Sequence, residues 1–184
     1  MTVYAITDPS TLNFTTLKDD LSHFATQANM IVYRDKACKA YAQNAKIFLA
    51  HAKGFDRVLL HTDYLLASEL QADGVHLTIK QLDAIPKAKA LGLFVIVSTH
   101  THVEALKAEA MGADMITFSP VFDTPKKGKP VGIEVLSEIV SCVDISVLAL
   151  GGILTQEQIH SCVDVGAEGF GSIRYFARNS LNSL

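Results

Sequence analysis

The stretch HVEALKAEAMGADMITFSP, residues 102–120, holds one complete structural unit of this chain. Val103, Leu106 and Ala110 recur at helical spacing, so 102–111 reads as an amphipathic helix. Gly112 falls just past it, where a residue with positive φ commonly closes a helix. The run Met-Ile-Thr-Phe, 115–118, then reads as a short strand covered on both faces, as parallel strands are. It leaves through Ser119-Pro120. The order recurs later in the chain, where Gly166-Ala167-Glu168 echoes Gly112-Ala113-Asp114 before a strand over 169–171.

Working outward, similar strands are expected over 3–6, 30–33, 57–61, 74–77, 93–97 and 147–150. Helices are expected between them over 15–26, 39–53, 64–71, 79–91, 133–142 and 156–165, with a short last one beginning near Ile173. Eight such units of about twenty residues predict a single compact (β/α)8 TIM barrel of the α/β class, trimmed to short loops. A doubly wound sheet is the alternative, and the even spacing without a composition break favours the barrel. One domain is expected over 1–178, with a polar tail at 179–184 that frays.

At 184 residues, 49% hydrophobic and 19% charged, the chain can bury a sizeable core and is not of the disordered class. A net charge of -3 gives no reason to expect nucleic acid as a partner. The N-terminus lacks a basic segment followed by an apolar run, and no stretch suits a membrane span. Cys38, Cys142 and Cys162 are odd in number and far apart, which fits reduced thiols in a cytoplasmic protein better than a disulfide framework or zinc site.

In a barrel, the residues just after each strand share one face. These are Thr7-Asp8, Arg34-Asp35-Lys36, His61-Thr62-Asp63, His76-Leu77-Thr78, Ser98-Thr99-His100, the loop from Ser119, Gly151-Gly152-Ile153, and Gly171-Ser172-Ile173-Arg174. Nearly every ionisable or hydroxyl group of the strand regions falls there. Glycine turns before a helix offer backbone amides to a phosphate, and the loops after strands seven and eight are the usual barrel phosphate site. Arg34 and Lys36, two apart on an extended strand end, point to one side and suit an anion. Lys126, Lys127 and Lys129 crowd the loop after strand six and suggest an anionic ligand such as a phosphate, with a solvated surface loop as the alternative.

The segments YAITD (4–8), YRDK (33–36), ADGVHL (72–77), VSTHTHVEALKAEAMGAD (97–114), SPVFDTPKK (119–127), ALGGI (149–153) and GAEGFGSI (166–173) together resemble the thiamine phosphate synthase/TenI family. The resemblance runs over nearly the whole chain and implies a (β/α)8 barrel acting in thiamine biosynthesis. The family's synthases join a pyrimidine diphosphate to a thiazole phosphate, using magnesium. Its TenI-type members include a thiazole tautomerase. Arg34 and Lys36 match the synthase pair that holds the diphosphate, Ser98 matches its serine after strand five, and Thr124 and Lys127 match its Thr-x-Thr-Lys loop. Gly152 and Ser172, with their neighbours, match its thiazole-phosphate cradle.

The chain also departs from that pattern. His61-Thr62 stands where the synthases have Asn-Asp, with Asp63 one place late, and Thr78-Ile79-Lys80-Gln81 stands where they carry a metal-binding aspartate. Magnesium needs carboxylate oxygens, so no metal ligand is assigned and no cofactor is expected; magnesium enters only if the chain is a synthase with a shifted metal site. Pro120 stands where the TenI tautomerase has its histidine. The remaining acid/base candidates are His61, His76 and His100, with His61 first because His76 is a histidine in ordinary synthases too.

The expected catalytic residues are therefore His61, Ser98 and Lys127. The expected phosphate- and substrate-binding residues are Arg34, Lys36, Ser98, Thr124, Lys126, Gly151, Gly152, Gly171 and Ser172. The expected ligand is a phosphorylated thiazole, handled by a TenI-type enzyme. A synthase that also takes a pyrimidine diphosphate is the alternative, and a non-catalytic binder of thiazole phosphate or thiamine phosphate is the third reading. Association into a homo-oligomer is compatible with this sequence, without an assignable surface.

Overall fold

Strands that are apolar on both faces need cover on both faces, and this chain meets the need by closing on itself. In the computed structural model, which describes residues 1–125 and 127–177, eight parallel strands pair in chain order and the last pairs with the first. They are β1 (Thr2–Ile6), β2 (Met30–Tyr33), β3 (Arg57–His61), β4 (Gly74–Thr78), β5 (Phe94–Thr99), β6 (Met115–Phe118), β7 (Ser146–Leu150) and β8 (Gly169–Ser172). Between them run α1 (Leu17–Ala25), α2 (Tyr41–His51), α3 (Tyr64–Glu69), α4 (Ile85–Ala90), α5 (His102–Ala110), α6 (Gly132–Cys142) and α7 (Gln156–Asp164). The fold is the (β/α)8 barrel. The tail over 179–184 and the loop residue Lys126 lie outside the described residues.

Side chains two apart on a strand share a face, and the strand residues sort into two cores accordingly. Tyr4, Ile6, Met30, Val32, Leu59, Ile96, Met115 and Leu148 fill the inside of the barrel. Ala5, Ile31, Leu60, Val75, Val97, Ile116, Ala149 and Phe170 face outward, under the helices. The barrel is tightest where strands begin: a Cβ on Gly169 would stand 1.8 Å from the Thr2 carbonyl oxygen. The repeated turn before the strands also has a physical role. Asp114 accepts the Val95 amide at 2.7 Å, Asp73 accepts the Val58 amide at 2.7 Å, and Asn29 accepts the Val3 amide at 2.8 Å. Each polar residue thus satisfies an amide near the start of a neighbouring strand.

One expected helix is divided. Over 79–91 a 3-10 turn, Ile79–Ala84, precedes α4. Pro86 lacks an N–H and its ring crowds the carbonyl four residues back, so it is accommodated only in the first turn of a restarted helix. The 3-10 turn hangs instead from Thr78, whose amide and hydroxyl each donate to Gln81 Oε1 at 3.1 Å. The short helix expected near Ile173 is likewise a 3-10 turn, Arg174–Phe176. No helix among the described residues is long and apolar enough to cross a membrane.

Candidate active site

The strand ends open on a cavity of about 690 Å³. Its wall carries Arg34, Lys36, Lys80, Lys127 and Arg174, and Asp8 is the one carboxylate among the described residues that line it. Asp8 is engaged locally, with Oδ1 accepting from the Ser10 amide at 2.8 Å and from the Ser10 hydroxyl at 2.6 Å. Of these, Arg34 and Lys127 are close enough to Lys36 to act on its charge. The Arg34 guanidinium is the main influence lowering the Lys36 ammonium below its usual range, followed by burial and then by Lys127.

Beneath the cations, side chains that point into the barrel form a buried polar chain. Tyr4 Oη lies 2.9 Å from His76 Nδ1, and His76 Nε2 lies 2.8 Å from Ser98 Oγ. Burial raises the Tyr4 phenol well above its usual pKa, so it stays protonated. Burial pushes the His76 imidazole down to about 3, with smaller contributions from His61 and Arg34. Neutral His76 has one donor and one acceptor nitrogen. With Tyr4 donating to Nδ1, Nε2–H donates to Ser98, which leaves the serine proton free to face a ligand. His61 sits edge-on to His76 with ring centroids 6.0 Å apart. Burial, then Arg34 and Lys36, hold it at about 4, so it too is neutral at physiological pH.

The turn that presents His61 is strained. Thr62 has a φ of +66°, rare for a β-branched residue, and the Asp63 amide reaches back to the His61 carbonyl at 2.9 Å. The Thr62 hydroxyl donates to the same carbonyl at 2.7 Å, and Gln81 Nε2 donates to the Thr62 carbonyl at 3.0 Å. Asparagine tolerates this region better than threonine. Thr62→Asn is therefore expected to stabilise the fold by about 1 kcal/mol, read as a rise in urea midpoint; an unchanged or lower midpoint would place no strain at this turn.

The loop after β6 folds across the mouth. The Val121 amide donates to the Leu150 carbonyl at 2.9 Å and the Phe122 amide to the Gly151 carbonyl at 3.0 Å. Gly151 and Gly152 have φ of +95° and +71°, and a Cβ on Gly152 would stand 2.4 Å from the Asp123 carbonyl oxygen. The seating of this loop therefore already accounts for both glycines. Thr124 Oγ1 donates to the Phe122 carbonyl at 3.0 Å, and the Lys127 amide to the Thr124 carbonyl at 3.1 Å, so the loop holds its own turn. Ser172 Oγ donates to the Ile153 carbonyl at 3.2 Å and accepts the Tyr175 amide at 3.2 Å, tying the last two loops together. His100 donates from Nδ1 to the Ser119 carbonyl at 2.8 Å.

Arg34, Lys36, His61, Ser98, Thr124, Lys127, Gly151, Gly152 and Ser172 thus border one cavity. Gly171 does not border it. It lies buried below, where a Cβ would be 3.2 Å from Leu150 Cδ1 and 3.4 Å from Tyr4 Cδ1, so its bareness makes room inside the barrel.

The sequence profile described as thiamine monophosphate synthase matches residues 3–176. The chain belongs to that family. It is 33% identical over 180 residues to a protein of Aquifex aeolicus provisionally named thiamine-phosphate synthase 2, covering 95% of this chain and 96% of that one. The thiamine-phosphate synthase of Chlorobium phaeobacteroides is 36% identical over 120 residues, 62% of this chain and 58% of its own length. Among solved structures, thiamine phosphate pyrophosphorylase from Pyrococcus furiosus superposes with a TM-score of 0.79 at 26% identity, covering 94% of this chain and 85% of that one.

The ends of β3 and β4, where the resemblance to the synthases would put magnesium, offer few carboxylates among the described residues. Asp63, the one carboxylate near the end of β3, is the N-cap of α3, where Oδ1 accepts the Leu66 amide at 2.9 Å. The end of β4 offers Thr78 and, on the 3-10 turn, the ammonium of Lys80. Among the described residues no group of three or more His, Cys, Asp or Glu side chains is arranged to hold a metal ion. These residues do not fit a hard, octahedral cation. Tyr4 is the participant that sequence reasoning missed. The available signal was a phenol on the inward face of the first strand, among apolar neighbours that share that face.

Proposed function

We propose that this chain is a TenI-type enzyme that binds a thiazole phosphate and moves a proton on it without a metal. The observation that carries this reading is His61, a neutral imidazole at the cavity wall beside two cations. Part of its depression comes from the Arg34 and Lys36 charges, so an anionic ligand that neutralises them returns the imidazole toward the neutral range where a general base works best. Ser98, with its proton free to donate, orients or stabilises the ring as charge develops. The thiazole phosphate is assigned to the turns at Gly151-Gly152 and Ser172-Ile173. With the Ser172 hydroxyl already donating to Ile153, backbone amides are the donors offered there. Thr124 and Lys127 close the loop over the ligand, and Lys126 adds charge to it.

His61→Ala is expected to lower metal-independent conversion of a thiazole carboxylate phosphate at least ~100-fold in kcat, as loss of a general acid/base does. Conversion that survives the substitution would remove His61 from the chemistry. Conversion that is absent from the wild-type protein, with thiazole phosphate still bound, would leave a non-catalytic binder.

The synthase reading is supported by Pro120 at the mouth, where the tautomerase carries its histidine, by Arg34 and Lys36 on the same cavity, and by the synthase names of the similar proteins. Release of diphosphate from a pyrimidine diphosphate, dependent on magnesium and on thiazole phosphate, would establish it.

A further inference from the structure

Ser98 and His76 meet as a nucleophile and its base would, with the serine hydroxyl 2.8 Å from an imidazole nitrogen on the cavity wall. Where a serine donates to the ring, the imidazole takes its proton and the oxygen attacks. In this chain the polarity is set from the other side of the ring. Tyr4 is fully buried on the inward face of β1 and does not border the cavity, and its Oη lies 2.9 Å from His76 Nδ1. Among the described residues that nitrogen is the one hydrogen-bond partner of the phenol. Were Tyr4 to accept from Nδ1–H, its own proton would be buried without an acceptor, which costs more than donating it. The phenol therefore donates to Nδ1, and the neutral ring carries its hydrogen on Nε2. Nε2–H occupies one lone pair of Ser98 Oγ, so the ring offers the serine no basic nitrogen.

We propose that Tyr4 is a positioning residue that, acting through His76, fixes Ser98 as a hydrogen-bond donor to the ligand and withholds it from nucleophilic chemistry. This rests on the reading of the cavity as a thiazole-phosphate site, and it specifies which face of the ligand Ser98 meets. The atom opposite Ser98 is one with a free lone pair, an unprotonated ring nitrogen or a carboxylate oxygen, and not an N–H or O–H. One buried hydroxyl on β1 thus selects the ligand's protonation state through residues of β4 and β5.

The direct test is nitrogen NMR of the whole chain labelled in histidine, the His76 signal being the one that His76→Gln removes. The wild-type protein is expected to show a single neutral tautomer with its proton on Nε2. A proton on Nδ1 would overturn the proposal without recourse to any variant. Tyr4→Phe removes only the hydroxyl and is expected to turn the single tautomer into a mixture, so an unchanged signal would also overturn it. In turnover of a thiazole carboxylate phosphate, Tyr4→Phe is expected to lower kcat roughly five- to tenfold, with thiazole phosphate affinity held within about twofold. In a Ser98→Ala background the same substitution is expected to change kcat less than about twofold, because its route to the ligand is gone. Equal losses in the two backgrounds would make Tyr4 a packing residue. If the wild-type protein converts no thiazole carboxylate phosphate, the proposed reaction fails, while the tautomer measurement still decides the role of Tyr4.

Discussion

Between about pH 6.5 and about pH 4.5 the protein is expected to lose roughly 5 kcal/mol of folding stability, a large part of what a domain of this size has. Two histidines cause it. In the fold, His61 is held at about 4 and His76 at about 3, against 6.5 for a free side chain. Above 6.5 both states are neutral at these positions. As pH falls, the unfolded chain takes up protons that the folded chain refuses, so each histidine costs about 1.4 kcal/mol per pH unit until its folded pKa is reached. The loss is therefore well advanced before ordinary carboxylates titrate below about 4.5.

Burial is the leading cause at both sites. The groups facing them among the described residues, Tyr4 and Ser98 as neutral hydroxyls and Arg34 and Lys36 as cations, include no carboxylate to stabilise an imidazolium. Urea midpoints measured across this window check the expectation, and His76→Gln should remove about half of the slope. A midpoint that stays level from about pH 7 to about pH 5 would show that the imidazoles are not held neutral.

Gly152→Ala is expected to destabilise the fold by about 4 kcal/mol, the sum of placing an L-residue in left-handed backbone and of overpacking against rigid atoms. The obstacle is main chain: the added carbon would meet the Asp123 carbonyl oxygen at 2.4 Å and the Phe122 carbonyl carbon at 2.7 Å. Neither can rotate away. The β6 loop would lift, carrying Thr124 and Lys127 off the mouth, and thiazole phosphate affinity should fall with the stability. Denaturation and ligand titration on the same variant test both halves. A variant within about 1 kcal/mol of the parent would mean that the loop yields more easily than its hydrogen bonds suggest.

The barrel was legible because its signals are local and repeated. Apolar runs over 115–118 and 147–150, glycines after helices, and polar residues at strand ends each follow from short-range chemistry, and their recurrence supplied the topology. The site was legible to the extent that it is a list of strand ends, and Arg34, His61 and Ser98 do meet across one cavity. What sequence could not supply was who touches whom. The bareness of Gly151 and Gly152 reads as phosphate chemistry in isolation, yet the loop from β6 rests on them. Ser172 reads as a phosphate donor, yet its hydroxyl is already bonded to the neighbouring loop. Asp63 reads as a carboxylate one place late, whereas its side chain caps a helix. Tyr4 escaped notice because a buried phenol in a strand looks like core until its partner, 72 residues away, is seen.

The ring of strands has a consequence for how copies of this protein can meet. Every strand is hydrogen-bonded on both sides, with β8 closing onto β1, so the sheet offers no open backbone edge to another chain. Strand addition, a common route both to ordered assembly and to fibrils, is closed to the folded barrel. Self-association would then proceed through side chains and loops rather than strand edges, and Ile47, Leu65, Val103 and Leu106 stand exposed on the outer helices. Its strength could then be changed by substitutions on those helices that leave the mouth of the cavity untouched.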